Sequence, residues 1–596
     1  MLIVAQNTKR IEQKYHYNNP NELQHQYLQL HESNPENPDM MHCLGVIAYQ
    51  KEQYDIALAW VIKAIEKNQL EPQFHNTHGI ILEAVGRFDE ALSAYQQAVS
   101  LKPDYAEAFH NMAVALQSQG HYALAVERCK QAVMLKTDYA QAYNTMAFSF
   151  EKQHLCDEAI ENYRQTLSLD PDFVEAYNHL GVVLNEKGRY AEAIANFRNA
   201  IERDPDYAEV YSNMGIALKE QEEFSEAIAC YEMALQLDPN FSEAYYNLGN
   251  SLRDQGRCVE AIESFRKAIS LKPDYAQAHW NLSLALLLSG NYTEGWKGYK
   301  WRRNAELKVL TDYHSTGKPR WDGSSFESRR LLVHYEQGLG DNIQFVRYIP
   351  MIKARGGTVI FETLKPLIGL LRGFEGIDEL VEYVPNRKMP LEYDVYTSLL
   401  DMPFIFGTTV ETIPSRVPYI YADPLKARYW RDKLAGPQLK VGIAWAGSPE
   451  HGNDRYRSCS LKNFIPLGQV EGVRLYGLQK GPAARQMDEF AETIPVTNIS
   501  ENFNDFTDTS AAIENLDLVI SVDTSVLHLS GAMGKPTWAL LPYAPEWRWM
   551  LNRTDSPWYP TMRLFRQSNW NDWDSVFRRV TEELEVMLSN PGRSEK

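Results

Sequence analysis

Four short stretches in the second half of this 596-residue chain hold residue types that could do chemistry. The first is QGLGDNIQFVRYIP at 337–350, where Gly338 and Gly340 permit a sharp strand-to-helix turn with close backbone approach, and Asp341 opens the helix. Capping is the simplest role for an Asp in that place. The second is VGIAWAGSPEHGNDRYRSCSLKNFIPL at 441–467, a strand followed by a loop crowded with His451, Asn453, Asp454, Arg455, Arg457 and Ser458. A polar loop at a strand's carboxyl end suits an anion, because arginine can chelate phosphate oxygens through two N–H groups at once; exposed loop charge is the alternative. In the third, LDLVISVDTSVLHLSGAMGKPTWALL at 516–541, a buried strand ends at Asp523, and Thr524 and Ser525 begin a helix that carries His528. Free N–H groups at that helix start, with two hydroxyls, would hold a diphosphate. Gln479 and Lys480 close the strand VRLYGLQ, and the lysine offers a point charge to the same phosphates or is an ordinary surface residue. The fourth stretch, 543–567, gathers Trp547, Trp549, Trp558 and Tyr559 with Arg548, Arg563 and Arg566. Such a set either stacks on sugars and bases and pairs with anions, or packs two lobes together.

The elements that position these residues follow from the texture around them. RRLLVHYE and TVIFET read as buried strands separated by the helical FVRYIPMIKARG, and a second set of strands starts at LKVGIAWAG. Strands alternating with helices predict parallel, doubly wound sheets. The simplest partition is two Rossmann-like lobes in series, 326–430 and 431–596, facing across a cleft into which the carboxyl ends of the strands point. A connector, 310–325, precedes them.

Before the connector the chain keeps a 34-residue beat. Pro103, Thr137, Pro171, Pro205, Pro239 and Pro273 share one place in the frame; Gly45, Gly79, Gly181, Gly215 and Gly249 share the eighth; Ala57, Ala91, Ala125, Ala159, Ala193, Ala227 and Ala261 share the twentieth. A period of this length marks stacked helix pairs. Small residues let the two helices approach, and the proline stops the second one. Clear repeats run over 38–309, with a degenerate repeat or cap at 1–37 in which Pro35 is in phase. The last repeat, from 276, loses the pattern, as a capping repeat that meets the next domain would. Asparagine recurs in the first helix of the pair: Asn111, Asn213, Asn247 and Asn281 at the sixth place, Asn76, Asn144 and Asn178 one place earlier. As a mediocre helix former it needs a reason there. Its amide either grips an extended peptide backbone or bonds neighbouring repeats.

Composition narrows the class. The formal net charge of −18 divides into −14 before residue 311 and −4 from it onward. An acidic repeat array repels phosphate backbones, which argues against nucleic acid as a partner. The first ten residues hold an apolar run too short for a secretory signal, and no stretch reaches the roughly 20 apolar residues of a membrane span. The six cysteines are scattered without a CxxC pair. A reduced, cytoplasmic protein is the expectation.

The repeats resemble the tetratricopeptide repeat, and their asparagines resemble in part the asparagine-lined superhelix of O-GlcNAc transferases. GLGD, AWAGSPEHGNDRYRS, DTSVLHLSGAMGKPTW and SPWYPTMRLFRQ together resemble GT-B glycosyltransferases, closest to the heptosyltransferase-like type fused behind such repeats in bacteria. Bacterial flagellin-modifying transferases share the layout. The resemblance implies inverting transfer of a sugar from a nucleotide-sugar co-substrate, with no further cofactor; no metal motif is visible in the sequence, so metal-independent transfer is the expectation. It makes Asp341 the catalytic base, puts Asp523 and Thr524 on the donor with His528 alongside, and places Gly338, Gly340, Gln479 and Ser525 around it. Ser525 stands where heptosyltransferases usually carry Gly. Their lysine-bearing loop is missing, which leaves Arg455, Arg457 or Lys480 to neutralise phosphate. The acceptor implied is a Ser or Thr hydroxyl of a polypeptide, flagellin or another surface protein, held by Asn111, Asn144, Asn178, Asn213, Asn247 and Asn281. The competing reading is a non-catalytic repeat scaffold with a nucleotide-binding GT-B-like domain.

Overall fold

The computed structural model describes residues 29, 32, 34–304, 317–384, 391–450, 452 and 454–589. The degenerate repeat of 1–37 lies almost wholly outside them, as do the connector's first residues. The chain divides into two compact units, one ending at Pro239 and one beginning at Asn240.

The first unit is built of helix pairs, from Pro38–Gln50 with Tyr54–Lys67 to Ala208–Glu220 with Phe224–Leu237. Each helix buries one stripe. In Tyr190–Arg203 it is Ala193, Ile194, Phe197 and Ala200, spaced to share one face. The eighth-place glycine sits against the residue sixteen positions on: a Cβ on Gly79 would lie 2.5 Å from the Tyr95 ring, and one on Gly181 2.5 Å from the Phe197 ring. The period in the sequence is thus a steric pairing, a missing side chain facing a large one. Between the helices of a pair the chain turns through a left-handed residue, with φ +77° at Gly86, +78° at Gly120 and +72° at Gly188. Glycine takes that conformation at no steric cost.

The second unit holds two more pairs, Ser242–Asp254 with Cys258–Leu271 and Ala276–Leu288 with Tyr292–Tyr299, followed by two all-parallel sheets. The first sheet contains β1 (Arg330–His334), β2 (Thr358–Thr363), β3 (Glu379–Glu382) and β4 (Val395–Ser398) in the order β3-β2-β1-β4. Leu332 sits opposite Ile360 on one side and Tyr396 on the other. The second sheet contains β5 (Leu439–Ala444), β6 (Val473–Gly477), β7 (Val496–Asn498), β8 (Leu518–Val522), β9 (Thr537–Leu541) and β10 (Met562–Arg566) in the order β10-β9-β8-β5-β6-β7. Read from the other edge, that is the 3-2-1-4-5-6 order of a doubly wound sheet, whose direction of winding reverses between β5 and β8. The first sheet reverses between β1 and β4. A crevice forms at each reversal, and ligands of such sheets bind there.

The tryptophans of the fourth stretch pack inside the second unit. Trp547 lies edge-on to Trp296 at 5.1 Å, and Trp558 donates its indole N–H to the Tyr292 hydroxyl at 3.2 Å. Trp296 donates to the Thr408 carbonyl at 3.0 Å. The last repeat ends in Arg302, 1 % exposed, whose guanidinium forks onto Glu336 at 2.5 and 2.9 Å and reaches Asp401 at 2.6 Å. The repeats from 242 therefore share a core with the sheets. The end of the repeat pattern near 309 and the boundary between compact units at 239/240 are different places. The helix Pro424–Lys433, which the sequence reading divides between the lobes, packs on Phe506–Glu514 of the second sheet's layer, with Lys426 2.7 Å from Asp508.

Gly181→Val should lower the stability of the repeats by about 1–3 kcal/mol, the usual cost of forcing atoms into a filled site. Urea denaturation followed by helical circular dichroism measures it. An unchanged midpoint would mean that the helix pair has room the close Phe197 ring denies.

Candidate functional site

Asp523 ends β8 and Thr524 precedes the helix Ser525–Ala532, at the reversal of the second sheet. This short helix packs against Leu339–Phe345, the helix that opens after β1 at the reversal of the first sheet. Their contact is tight: a Cβ on Gly340 would lie 2.7 Å from His528 Cδ2. The two turns singled out in the sequence, GLGD and DTS, are thus brought together from opposite sheets.

At the GLGD turn Asp341 Oδ2 accepts the Gly338 N–H at 2.8 Å, and Oδ1 pairs with the Arg548 guanidinium. The capping role is real, and the second oxygen is also engaged. Arg548 is buried, donates to Gln344 Oε1 as well, and meets Glu546 Oε1 at 2.5 Å. One guanidinium thus ties the helix after β1 to the loop after β9.

Around Asp523 the bonding runs inward. Oδ2 accepts the Trp549 indole N–H at 2.8 Å, and Oδ1 lies 3.6 Å from His528 Nε2. Burial pushes the Asp523 carboxyl up, but the His528 and Trp549 contacts, with Arg457 nearby, outweigh it and hold the group at about 2. His528 Nδ1 is 2.9 Å from the Tyr559 hydroxyl. Nδ1 is thus held by Tyr559 while Nε2 faces the Asp523 carboxylate, so the imidazole props Asp523 and the helix. Thr524 is partly open and its hydroxyl lies 3.1 Å from Ser521 Oγ; Ser525, also partly open, begins the helix.

The loop after β5 folds onto Gly447. Gly447 N–H donates to Ser458 Oγ at 2.9 Å, Ser458 donates to Asp454 at 2.9 Å, and Arg457 bonds Asp454 at 3.1 Å. Arg455 lies over the Tyr456 ring at 4.5 Å. His451 and Asn453 fall outside the described residues. Gln479 is buried; its oxygen accepts the Trp445 and Ala446 N–H groups at 3.0 and 2.9 Å, and its amide donates to the Ala446 and Lys480 carbonyls. That amide clasps β5 to β6 and has nothing left for a ligand. Lys480 is exposed and donates to the Phe503 carbonyl at 2.5 Å, with two N–H groups remaining. Arg566 binds the carbonyls of Trp549 and Met550 and so shapes the loop after β9, while Arg563 pairs with Glu583 on the surface.

The asparagines form a ladder between repeats. Asn111 donates to Asn76 at 2.9 Å, Asn213 to Asn178 at 3.0 Å, and Asn281 to the Tyr246 hydroxyl at 3.2 Å. His42 with Thr77 and His110 with Thr145 fill the same rungs. Each rung joins the fifth place of one repeat to the sixth of the next, which is why the residue recurs in two registers. Asn178 is fully buried in the ladder. The Asn144 carbonyl oxygen is buried without a hydrogen-bond partner, and Asn247 is half-buried.

Sequence reasoning missed Glu546, Arg302 and Arg347. Arg347 is buried, with its guanidinium on Tyr419 at 2.7 Å and the Trp558 carbonyl at 2.7 Å. Only Glu546 had a local signal, as the acid inside the aromatic and basic run EWRW. Among the described residues no His, Cys, Asp and Glu cluster is arranged to hold a metal, and no helix is long and apolar enough to cross a membrane.

Models of the tetratricopeptide repeat family match residues 172–240, 81–120, 156–186, 249–290 and 230–263, and the chain carries these repeats. Protein FlbA of Caulobacter vibrioides is 26 % identical over 319 residues, 50 % of this chain and 53 % of FlbA. The chain spans about half the length of that curated relative. Solved structures with likeness to the chain include YrrB, described as a TPR protein with an unusual peptide-binding site, at 22 % identity and a TM-score of 0.29 over 31 % of this chain and 96 % of YrrB. Another is the Cut9–Hcn1 hetero-tetramer of the APC/C, at 18 % identity and 0.37 over 45 % of this chain and 52 % of that one.

Arg548→Met should cost on the order of 3 kcal/mol of stability, because Asp341 and Glu546 lose the charge that offsets their burial. Urea titration of the variant checks it. A wild-type midpoint would show that the two carboxylates do not depend on Arg548.

Proposed function

We propose that the chain is a glycosyltransferase that moves a sugar from a nucleotide-sugar donor to a hydroxyl of a polypeptide held by the repeats, with inversion at the anomeric carbon. The observation that carries this reading is the meeting of the two sheet reversals, where the start of Ser525–Ala532 comes against the helix that begins at the GLGD turn. A doubly wound sheet of order 3-2-1-4-5-6 presents nucleotides with a helix N-terminus at that point. On this reading Thr524, Ser525 and the spare N–H groups of Lys480 face the donor's phosphates, and Arg457 adds positive field from the β5 loop. Growing charge on the leaving nucleotide is then met by fixed dipoles and cations. Tetratricopeptide repeats suit a polypeptide partner, and the half-buried Asn247 is placed to offer its amide to one. A cleft carboxylate takes the acceptor proton. Asp341 is the candidate that the sequence resemblance supplies.

The experiment is release of free nucleotide from a panel of donors by the purified chain with a protein acceptor. Nucleotide binding without turnover under every acceptor would instead favour a scaffold. Two variants separate binding from chemistry. Thr524→Ala should raise the donor's dissociation constant roughly tenfold to a hundredfold, through a lost phosphate hydrogen bond of about 1.5–3 kcal/mol. If Asp341 is the base, Asp341→Asn lowers the single-turnover rate by about 10²-fold or more with donor affinity within a few-fold; if it serves only to cap the helix and hold Arg548, activity survives. Wild-type turnover in Asp341→Asn would remove that residue from the chemistry.

A second test uses the boundary between compact units. A chain of residues 240–596 keeps the last two repeats on the sheets and should bind nucleotide as the full chain does, yet lose modification of the protein acceptor. Calorimetry and intact-mass spectrometry measure the two. Equal acceptor modification would show that the first unit serves another partner.

A further inference from the structure

The loop after β9 brings a second carboxylate to the same crevice. Glu546 meets one terminal nitrogen of Arg548 while Asp341 takes the other, with Glu546 Oε1 2.5 Å from the guanidinium and Oε2 accepting the Arg548 backbone N–H at 3.0 Å. Trp549, three residues on, is tied to Asp523 at the end of β8, so the loop is fixed over the reversal of the second sheet. Met550, which ends the turn, has φ +51°, a conformation that a residue with a side chain adopts at a cost. Each acid has one oxygen on Arg548's guanidinium and the other on a backbone N–H, and the two differ in exposure. The Asp341 side chain is 17 % exposed and that of Glu546 37 %.

We propose that Glu546 is the group that takes the proton from the acceptor hydroxyl, and that Asp341 positions Arg548 and the helix after β1. This rests on the transferase reading above. In the step, the acceptor oxygen bonds to the anomeric carbon as the bond from that carbon to the phosphate oxygen breaks. The electron pair of the broken bond leaves with the nucleotide, and the acceptor's proton passes to a Glu546 oxygen and then to water. The groups around Glu546 suit it to this work. Arg548 faces it directly; Asp523 lies across the loop; Asp341 is reached through the shared guanidinium; the Tyr292 and Tyr299 phenols stand behind. Although the side chain as a whole is 37 % exposed, the carboxyl lies deep enough among Arg548, Asp523 and the phenols that loss of water pushes it up to about 7; Arg548 opposes the rise and Asp523 adds to it. A base that titrates near the working pH both accepts and gives up a proton readily.

The test is the pH dependence of single-turnover transfer in the full chain with saturating donor, for the wild type, Glu546→Gln and Glu546→Asp. A base must be ionised, so the wild-type rate should be full above about pH 7 and fall as pH drops through that value. Glu546→Gln should lose about 10²-fold or more and show a flat profile there, while Glu546→Asp recovers part of the rate with a displaced inflection. Donor affinity by calorimetry should stay close to wild type in Glu546→Gln, while the thermal midpoint falls because Arg548 loses one of its two counter-charges; the partial recovery and displaced inflection in Glu546→Asp separate a lost base from that structural loss. A wild-type rate, or an unchanged inflection, in Glu546→Gln overturns the assignment. A wild type that binds donor and never turns over defeats the transferase reading itself, an outcome distinct from an active wild type indifferent to residue 546.

Discussion

Two guanidiniums stripped of water set the geometry of the second unit. Arg302 and Arg548 are each met by two carboxylates, Glu336 with Asp401 and Asp341 with Glu546. A buried charge of this kind is tolerated only when its hydrogen bonds are filled in the right directions. Arginine's planar fork makes that demand directional. The four carboxylates come from the ends of three strands: Glu336 and Asp341 after β1, Asp401 after β4, Glu546 after β9. Satisfying both arginines therefore aligns the last repeat, the first sheet and the loop over the second sheet together. Glu336 stands two residues before Gly338, so Arg302 anchors the approach to the GLGD turn from behind while Arg548 holds the turn from the front.

The repeats were legible because each repeated residue has one steric job that its neighbours in the frame define. Gly181 faces Phe197 and Gly79 faces Tyr95 through the same sixteen-residue offset, and Gly86, Gly120 and Gly188 make the same turn. Recurrence along the chain reports contact in space only when the contact is local. The asparagines were harder to read for this reason. The bond from Asn111 to Asn76 links unlike places of successive repeats, so neither register alone is complete. The seam that joins the last repeats to the sheets left no periodic trace. Tyr292 and Trp558 are far apart in sequence, and their contact obeys no frame.

The site was legible to the extent that it is built from strand, turn and helix in immediate succession. DTS after β8 and GLGD after β1 announce themselves, since a sharp turn into a helix needs small or capping residues where it starts. What each side chain does there was not written locally. His528 reads as a ligand-facing group until Tyr559 and Asp523 are seen on its two nitrogens. Gln479 reads as a donor contact until β5 is seen beside β6. Glu546 gains its importance only because β9 lies next to β8 and carries the loop across the crevice.

Gly340 shows how far a motif's meaning depends on the opposite face. Within its own turn it offers freedom of backbone, which several residues could supply at modest cost. Against His528 it offers the absence of a Cβ, and no other residue supplies that, since the added atom would sit 2.7 Å from the ring. His528 cannot retreat, because moving its ring would break the contacts that hold Asp523, and Asp523 in turn anchors Trp549 and the loop bearing Glu546 and Arg548. The path closes at Asp341, three residues after Gly338. Distance between the two helices, ionisation of the buried Asp523 and placement of Asp341 and Glu546 are thus one coupled constraint, and a change at any member is felt at the turn where it began.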